Sequence, residues 1–136
     1  MGCADLTGPA PQVDLDAAHA RWQATHMSDY QFDFQRSCFC GPDITRQVTI
    51  TVWGRAPLSI VYSDSGTAAD STLFRQYLTM ERYFTFLQNE VAGHPATFTA
   101  VFDSSTGYPR QVFIDDVATI ADDEVTLHIF ALRPLP

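Results

Sequence analysis

The sequence predicts an α+β fold in which a single meandering antiparallel sheet of about six strands carries two helices packed on one face. Three observations favour this fold. Several short segments carry an apolar residue at every second position, two longer segments repeat apolar residues every three or four positions, and short polar turns separate neighbouring strands. Strands joined by such turns must be antiparallel neighbours. The predicted order is helix, three strands, helix, three strands.

The first half of the chain is expected to hold one helix and three strands. The helix should run from Asp14 to about His26, because Asp14 is a suitable N-cap. Its apolar stripe is formed by Leu15, Ala18 and Trp22. The three strands are expected at 30–40, 46–53 and 57–63, with Leu58, Ile60 and Tyr62 on the buried face of the third.

The second half repeats this plan. A helix is expected from about Ser71 to Val91, because apolar residues recur there at helical spacing and Gly93-His94-Pro95 ends the pattern. Strands are expected at 96–102, 108–115 and 124–132. Thr, Gln and Ser alternate with the apolar residues, so one face of the sheet should face solvent.

The start of the chain differs from the rest in composition. Residues 1–12 lack periodicity and are predicted to be a flexible tether, followed by a single α+β domain at 13–136. A small residue before Cys3 and a polar linker after it are typical of the mature start of a bacterial lipoprotein, in which Cys3 would carry the lipid. The alternative is an ordinary cysteine. Membrane contact is expected only through this anchor.

The charge balance restricts the classes of partner. The chain has 16 acidic and 8 basic residues, a net charge of −8, and every basic residue is arginine. Because no basic cluster is present to neutralise phosphates, nucleic acid is excluded as an expected partner. No cofactor is expected, since the chain lacks a phosphate-binding glycine loop and a dinucleotide fingerprint.

Cys38 and Cys40 form a Cys-x-Cys pair at the end of an alternating aromatic strand. Three interpretations stay open: a structural disulfide, a redox or Cu(I) pair, and two inert thiols. In a fully extended strand their Cα atoms would be roughly 6.5–7 Å apart, at the upper limit for a bridge, so a disulfide needs a local turn. A reactive thiolate needs a nearby cation, and Arg36 lies on the same strand face.

Two loops hold further candidate residues. Acidic side chains cluster near the sixth strand, at Asp115, Asp116, Asp122, Asp123 and Glu124. Such a cluster is a weak candidate for Ca²⁺, and the alternative is a solvated loop that keeps a strand end from pairing with another chain. Tyr108 is a candidate binding anchor in a hairpin, and the alternative is that it fixes the turn.

The polar face of the sheet is the candidate contact surface. Trp53 and Val61 are large apolar residues on a face that otherwise carries Gln47, Thr49 and Thr51. The chain also lacks a Gly-x-Ser-x-Gly motif. The sequence therefore favours a non-catalytic module that binds an unknown protein or small ligand. The rival hypothesis is a thiol-disulfide or Cu(I)-handling protein that uses Cys38 and Cys40.

With these segments placed, the chain resembles a family of bacterial envelope proteins known only as a domain of unknown function, many of which resemble lipoproteins. The resemblance spans about 17–130, and its specific parts are Cys38-Phe39-Cys40 and Gly107-Tyr108-Pro109. It implies an envelope location and an α+β fold, and it implies no activity. The architecture is also similar to that of secreted enzyme inhibitors such as the β-lactamase inhibitory protein, a likeness of fold alone.

Overall fold

The computed structural model describes residues 10–118 and 123–136, and it confirms a mixed fold built on one open antiparallel sheet. The elements are α1 (Ala10–Ala24), β1 (Tyr30–Cys38), α2 (Pro42–Thr45), β2 (Val48–Trp53), β3 (Ala56–Tyr62), a 3-10 helix (Ser71–Tyr77), α3 (Met80–Ala92), β4 (Thr97–Phe102), β5 (Pro109–Asp115) and β6 (Glu124–Pro134). Within these ranges no helix combines the length and apolar character needed to cross a membrane.

The six strands lie in the order β3-β2-β1-β6-β5-β4. The sheet is therefore two three-stranded meanders, joined where β1 pairs with β6 at the centre, and the prediction of a single meander is wrong in this respect. The first meander runs from the centre to one edge and the second from the other edge back to the centre. The helical segment between β3 and β4 connects the two edges, which a chain of short turns could not do.

The described residues form four helical segments, and the prediction of two helices is wrong. α2 is one turn that begins with a proline, whose fixed φ suits the first helical position. The predicted helix at 71–91 is divided into the 3-10 helix and α3. Thr79 causes the division, because it has extended angles (φ −138°, ψ 160°) and its hydroxyl accepts a hydrogen bond from the backbone N–H of Arg82.

The first helix differs from its predicted bounds at both ends. α1 includes residues 10–12, which the sequence assigned to the tether, and Asp14 lies within the helix rather than at its N-cap. The helix ends at Ala24, before His26, whose positive φ of 52° cannot continue an α-helix. The buried stripe of Leu15, Ala18 and Trp22 is as expected.

One face of the sheet packs against α1, the 3-10 helix and α3 to form the core. Aromatic side chains fill it, and the ring of Phe34 stacks on that of Tyr77 with centroids 4.5 Å apart. The Nε1 of Trp22 in α1 donates to Glu81 of α3 at 2.8 Å, which ties the two helices together. Leu58 was expected in this core but is 65% exposed, because a register shift of β3 against β2 displaces it.

Candidate functional site

The sheet face opposite the core carries most of the predicted contact residues. Thr49, Thr51 and Trp53 alternate along β2 with buried residues, and Thr49 pairs across the strands with Val61 of β3. Side chains of β1 and β6 share this face by the same alternation. We call the surface formed by these residues the open face: Gln31, Asp33, Thr49, Thr51, Trp53, Val61, Phe130 and Arg133.

A polar network orders the open face across three strands. The hydroxyl of Thr49 donates to the carboxylate of Asp33 at 2.8 Å, and the amide of Gln31 donates to the hydroxyl of Thr51 at 2.9 Å. From β6, the Nε of Arg133 donates to Gln31 at 2.9 Å, and its Nη2 lies 3.3 Å from the Asp33 carboxylate. The side chains of β2 and β6 are thereby fixed on either side of β1.

Trp53 stands at the end of β2 and is 50% exposed. The two-residue turn that follows it has positive φ at both Gly54 and Arg55, the conformation of a tight hairpin turn. The carboxylate of Asp29 accepts a hydrogen bond from the backbone N–H of Gly54, which holds this turn against the start of β1. Trp53 therefore projects from a hydrogen-bonded hairpin turn and is half-exposed on the predicted face.

Cys38 and Cys40 are joined as a disulfide at the end of β1. The strand ends at Cys38 rather than at the predicted Cys40, and the two Cα atoms are 5.3 Å apart because the chain turns at Phe39. Phe39 is 83% exposed. On the helix side of the sheet, the Nε of Arg36 donates to the sulfur of Cys38 at 3.2 Å, as the shared strand face led us to expect.

Tyr108 is half-buried and packs against the core, so its ring does not stand free as a binding anchor. The loop of its hairpin is held by hydrogen bonds between its own residues. The carboxylate of Asp103 accepts hydrogen bonds from the backbone N–H and the hydroxyl of both Ser105 and Thr106. The same bonds hold the pKa of Asp103 below its usual value, with the Thr106 N–H as the main cause. The geometry agrees with the role of fixing the turn.

The acidic residues at the β5–β6 end repel one another. Burial raises the pKa of Asp115, and the facing carboxyl of Asp123 adds to the rise, followed by the charges of Glu124 and Asp116. Burial and the nearby Asp116 also raise the pKa of Glu90 in α3. Asp122 lies outside the described residues. Across 10–118 and 123–136, no three metal-ligating side chains converge.

We expect the substitution Asp115→Asn to raise the melting temperature at neutral pH. A carboxyl whose pKa is raised by folding binds its proton more tightly in the folded state, so the charged form lowers stability as pH rises through the folded pKa. Asparagine removes the charge and offers an amide donor to Asp123. The gain should disappear at a pH below the unfolded value of 3.8, where the wild-type carboxyl is also neutral.

Asp64→Asn is the matched control with the opposite sign. The guanidinium of Arg46 donates to the Asp64 carboxylate at 2.8 Å and lowers the pKa of that carboxyl. Removing this charge should lower the melting temperature slightly at neutral pH and leave it unchanged in acid. Thermal unfolding followed by circular dichroism across the pH range measures both variants. A loss of stability at neutral pH for Asp115→Asn would contradict the repulsion described above.

Comparison with known proteins gives a family and no activity. None of the curated proteins matches the chain. A family of unknown function (DUF6174) matches residues 14–134, which include all the strands of the sheet. The predicted resemblance to a family of unknown function is thereby confirmed, while the envelope location stays a prediction. The chain belongs to this family of unknown function, DUF6174.

Proposed function

We propose that this protein is a non-catalytic module of the bacterial cell envelope that binds a partner protein through the open face. The observation that carries the proposal is the half-exposed Trp53, held on rigid backbone beside an ordered polar network. Tryptophan and arginine dominate the binding energy of protein interfaces, and both stand on this face. Phe130 of β6, 40% exposed, adds a second aromatic contact.

The order of the network favours association. A side chain that is already fixed in one rotamer loses less conformational entropy on binding, a saving of about 0.5–1.5 kcal/mol for each immobilised side chain. Gln31 and Arg133 are the longest side chains in the centre of the open face, and each is held by hydrogen bonds to a neighbouring strand. These side chains of the open face therefore lose little conformational freedom when a partner binds.

The shape of the surface favours a protein over a small ligand. Sites for small molecules are concave and enclose most of the ligand. A groove of about 430 Å³ lies on the helix side, along the 3-10 helix and α3, and a smaller one of about 270 Å³ borders the open face at Phe130. The open face is a broad sheet surface, and this shape suits the area of a protein interface.

The envelope location rests on the start of the chain and on the cysteine pair. The small residue before Cys3 and the linker after it are typical of an exported, lipid-anchored protein. Cys38 and Cys40 form an even pair, and disulfides persist outside the cytoplasm. A tethered binding domain would keep its open face free in the envelope.

Site-specific photo-cross-linking in the natural host tests the proposal. A photoreactive amino acid replaces Val61 or Phe130 on the open face, and it replaces the exposed Leu73 or Gln76 of the 3-10 helix as matched controls on the helix side of the sheet. We expect one discrete adduct from both open-face positions and none from the controls. Excess purified wild-type protein should compete for the adduct, and the Trp53→Ala variant should not. Adducts from the control positions alone, or from no position, would contradict the proposal.

A further inference from the structure

We propose that Cys38 and Cys40 are a redox-active pair that undergoes thiol-disulfide exchange with a dithiol reductant, and that Arg36 is its positioning residue. This site is independent of the open face. Arg36 and Cys38 point to the helix side of the sheet, whereas the open face lies on the other side. The proposal stands on the position of the guanidinium, on its charge, and on the unequal exposure of the two cysteines.

The guanidinium of Arg36 is held at two points. Its Nε donates to the sulfur of Cys38 at 3.2 Å, and its Nη1 donates to the hydroxyl of Tyr77 at 2.9 Å. Tyr77 belongs to the 3-10 helix and is buried against Phe34 of β1. The cation is therefore fixed beside one sulfur by the packed core, and a fixed cation stabilises a thiolate more than a mobile one does.

Among residues 10–118 and 123–136, no carboxylate forms an ion pair with Arg36. The two ion pairs that occur among the described residues involve other arginines. Burial raises the pKa of the Tyr77 hydroxyl, so this partner stays neutral at physiological pH. The positive charge is thus available to the anion that forms when the disulfide opens.

The two cysteines differ in exposure. Cys40 is exposed beside the protruding Phe39, whereas Cys38 is partly covered. Exposed disulfides are in general the labile and exchangeable ones. An incoming thiolate reaches Cys40 more readily, and the sulfur that leaves is then Cys38, next to the guanidinium. A stabilised leaving thiolate makes exchange faster.

The reaction balances in two steps. A thiolate of the reductant attacks the sulfur of Cys40 and forms a mixed disulfide, while the Cys38–Cys40 bond breaks and its electron pair goes to the Cys38 thiolate. The second thiol of the reductant, after losing its proton, attacks the reductant's own sulfur in the mixed disulfide and releases Cys40. The reductant loses two electrons and two protons, and the cysteine pair takes up the two electrons and the two protons to become two thiols.

Reduction of the native protein by dithiothreitol, quenched by alkylation of the thiols, tests the proposal. We expect Arg36→Met to slow reduction about tenfold, and Arg36→Lys to restore part of the rate. Arg46→Met is the matched control, since Arg46 pairs with Asp64 and not with the sulfurs, and it should leave the rate unchanged. In the reduced protein, we expect the Cys38 thiol to lose its proton at a higher pH in Arg36→Met than in the wild type. The ultraviolet absorbance of the thiolate measures this ionisation.

Two results would overturn the proposal. One is a reduction rate and a thiolate titration that are the same in the wild type and in both Arg36 variants. The other is reduction that proceeds only at the rate of global unfolding and accelerates with denaturant, as a purely structural disulfide would behave. Circular dichroism of each variant shows that the fold is intact, and Arg36→Lys keeps the test decisive if Arg36→Met unfolds. Neither result bears on binding at the open face.

Discussion

Replacing Gly107 with alanine is expected to destabilise the fold by about 3 kcal/mol, because it combines backbone strain with a steric clash. Gly107 has a φ of +84°, which alanine adopts only with strain. A Cβ at this position would also collide with the backbone carbonyl oxygen of Ala18 in α1 and lie 3.0 Å from the Cβ of Arg21. Because the obstacle is mainly helix backbone, it cannot move aside, and the hairpin must separate from α1.

The substitution Gly66→Ala separates the cost of backbone strain from the cost of the collision with α1. Gly66 has a similar φ of +74°, but nothing lies within 4 Å of the position of its Cβ. This control should therefore cost only the backbone strain, about 1–2 kcal/mol. Urea unfolding followed by circular dichroism gives both free energies. If Gly107→Ala is no more destabilising than Gly66→Ala, the close packing of the hairpin on α1 is wrong.

The same contact explains why the sequence marked the Gly-Tyr-Pro segment without identifying its role. A glycine in a hairpin loop indicates a turn, and the sequence predicted one there. The reason for glycine at 107 is the approach of α1, and the hydrogen bond from Arg21 to the carbonyl of Asp103 closes the same contact. Arg21 and Asp103 are 82 positions apart in the sequence, and no local pattern reveals a contact over that separation.

The strands were predicted well because their signal is local. Alternation along β2 was sufficient to place Val48, Ile50 and Val52 in the core and Thr49 and Thr51 outside, as the structure shows. The order of strands in the sheet was not predictable in this way. It depends on the pairing of β1 with β6, which brings Gln31 beside Arg133 from the opposite end of the chain.

Part of the open face could be predicted for the same reason. Trp53 and Val61 are on the predicted face because period-two patterning fixes the face of each strand. Arg133 was not predicted on this face. The pairing of β6 with β1 shifts in register between Gln31 and Asp33, and this shift brings Arg133 to the open face opposite Gln31. A one-residue slip in register moves a side chain to the other face, and the sequence does not encode the slip locally.

The substitution Thr79→Val is expected to destabilise the protein by about 1–2 kcal/mol, the usual cost of losing an N-cap. Valine keeps the shape and the extended backbone of this buried residue but removes the hydroxyl that accepts from the N–H of Arg82 at 3.1 Å. Thr85→Val is the control, since Thr85 lies on the exposed side of α3 and caps nothing. It should change the free energy of unfolding by less than about 0.5 kcal/mol. Chemical denaturation measures both.

The outcome at Thr79 also decides what divides the predicted helix. The second cap of α3 comes from the sheet, because the hydroxyl of Tyr30 accepts a hydrogen bond from the backbone N–H of Met80 at 2.9 Å. If Thr79→Val leaves the free energy of unfolding unchanged, the Tyr30 hydroxyl alone fixes the start of α3. Tyr30→Phe should then lower the free energy of unfolding by the full cost of the lost cap, about 1–2 kcal/mol. If Thr79→Val costs what we expect, the boundary is set jointly by a local threonine and a distant strand. The apolar spacing of 71–91 continues through this boundary, so helical periodicity could not reveal it.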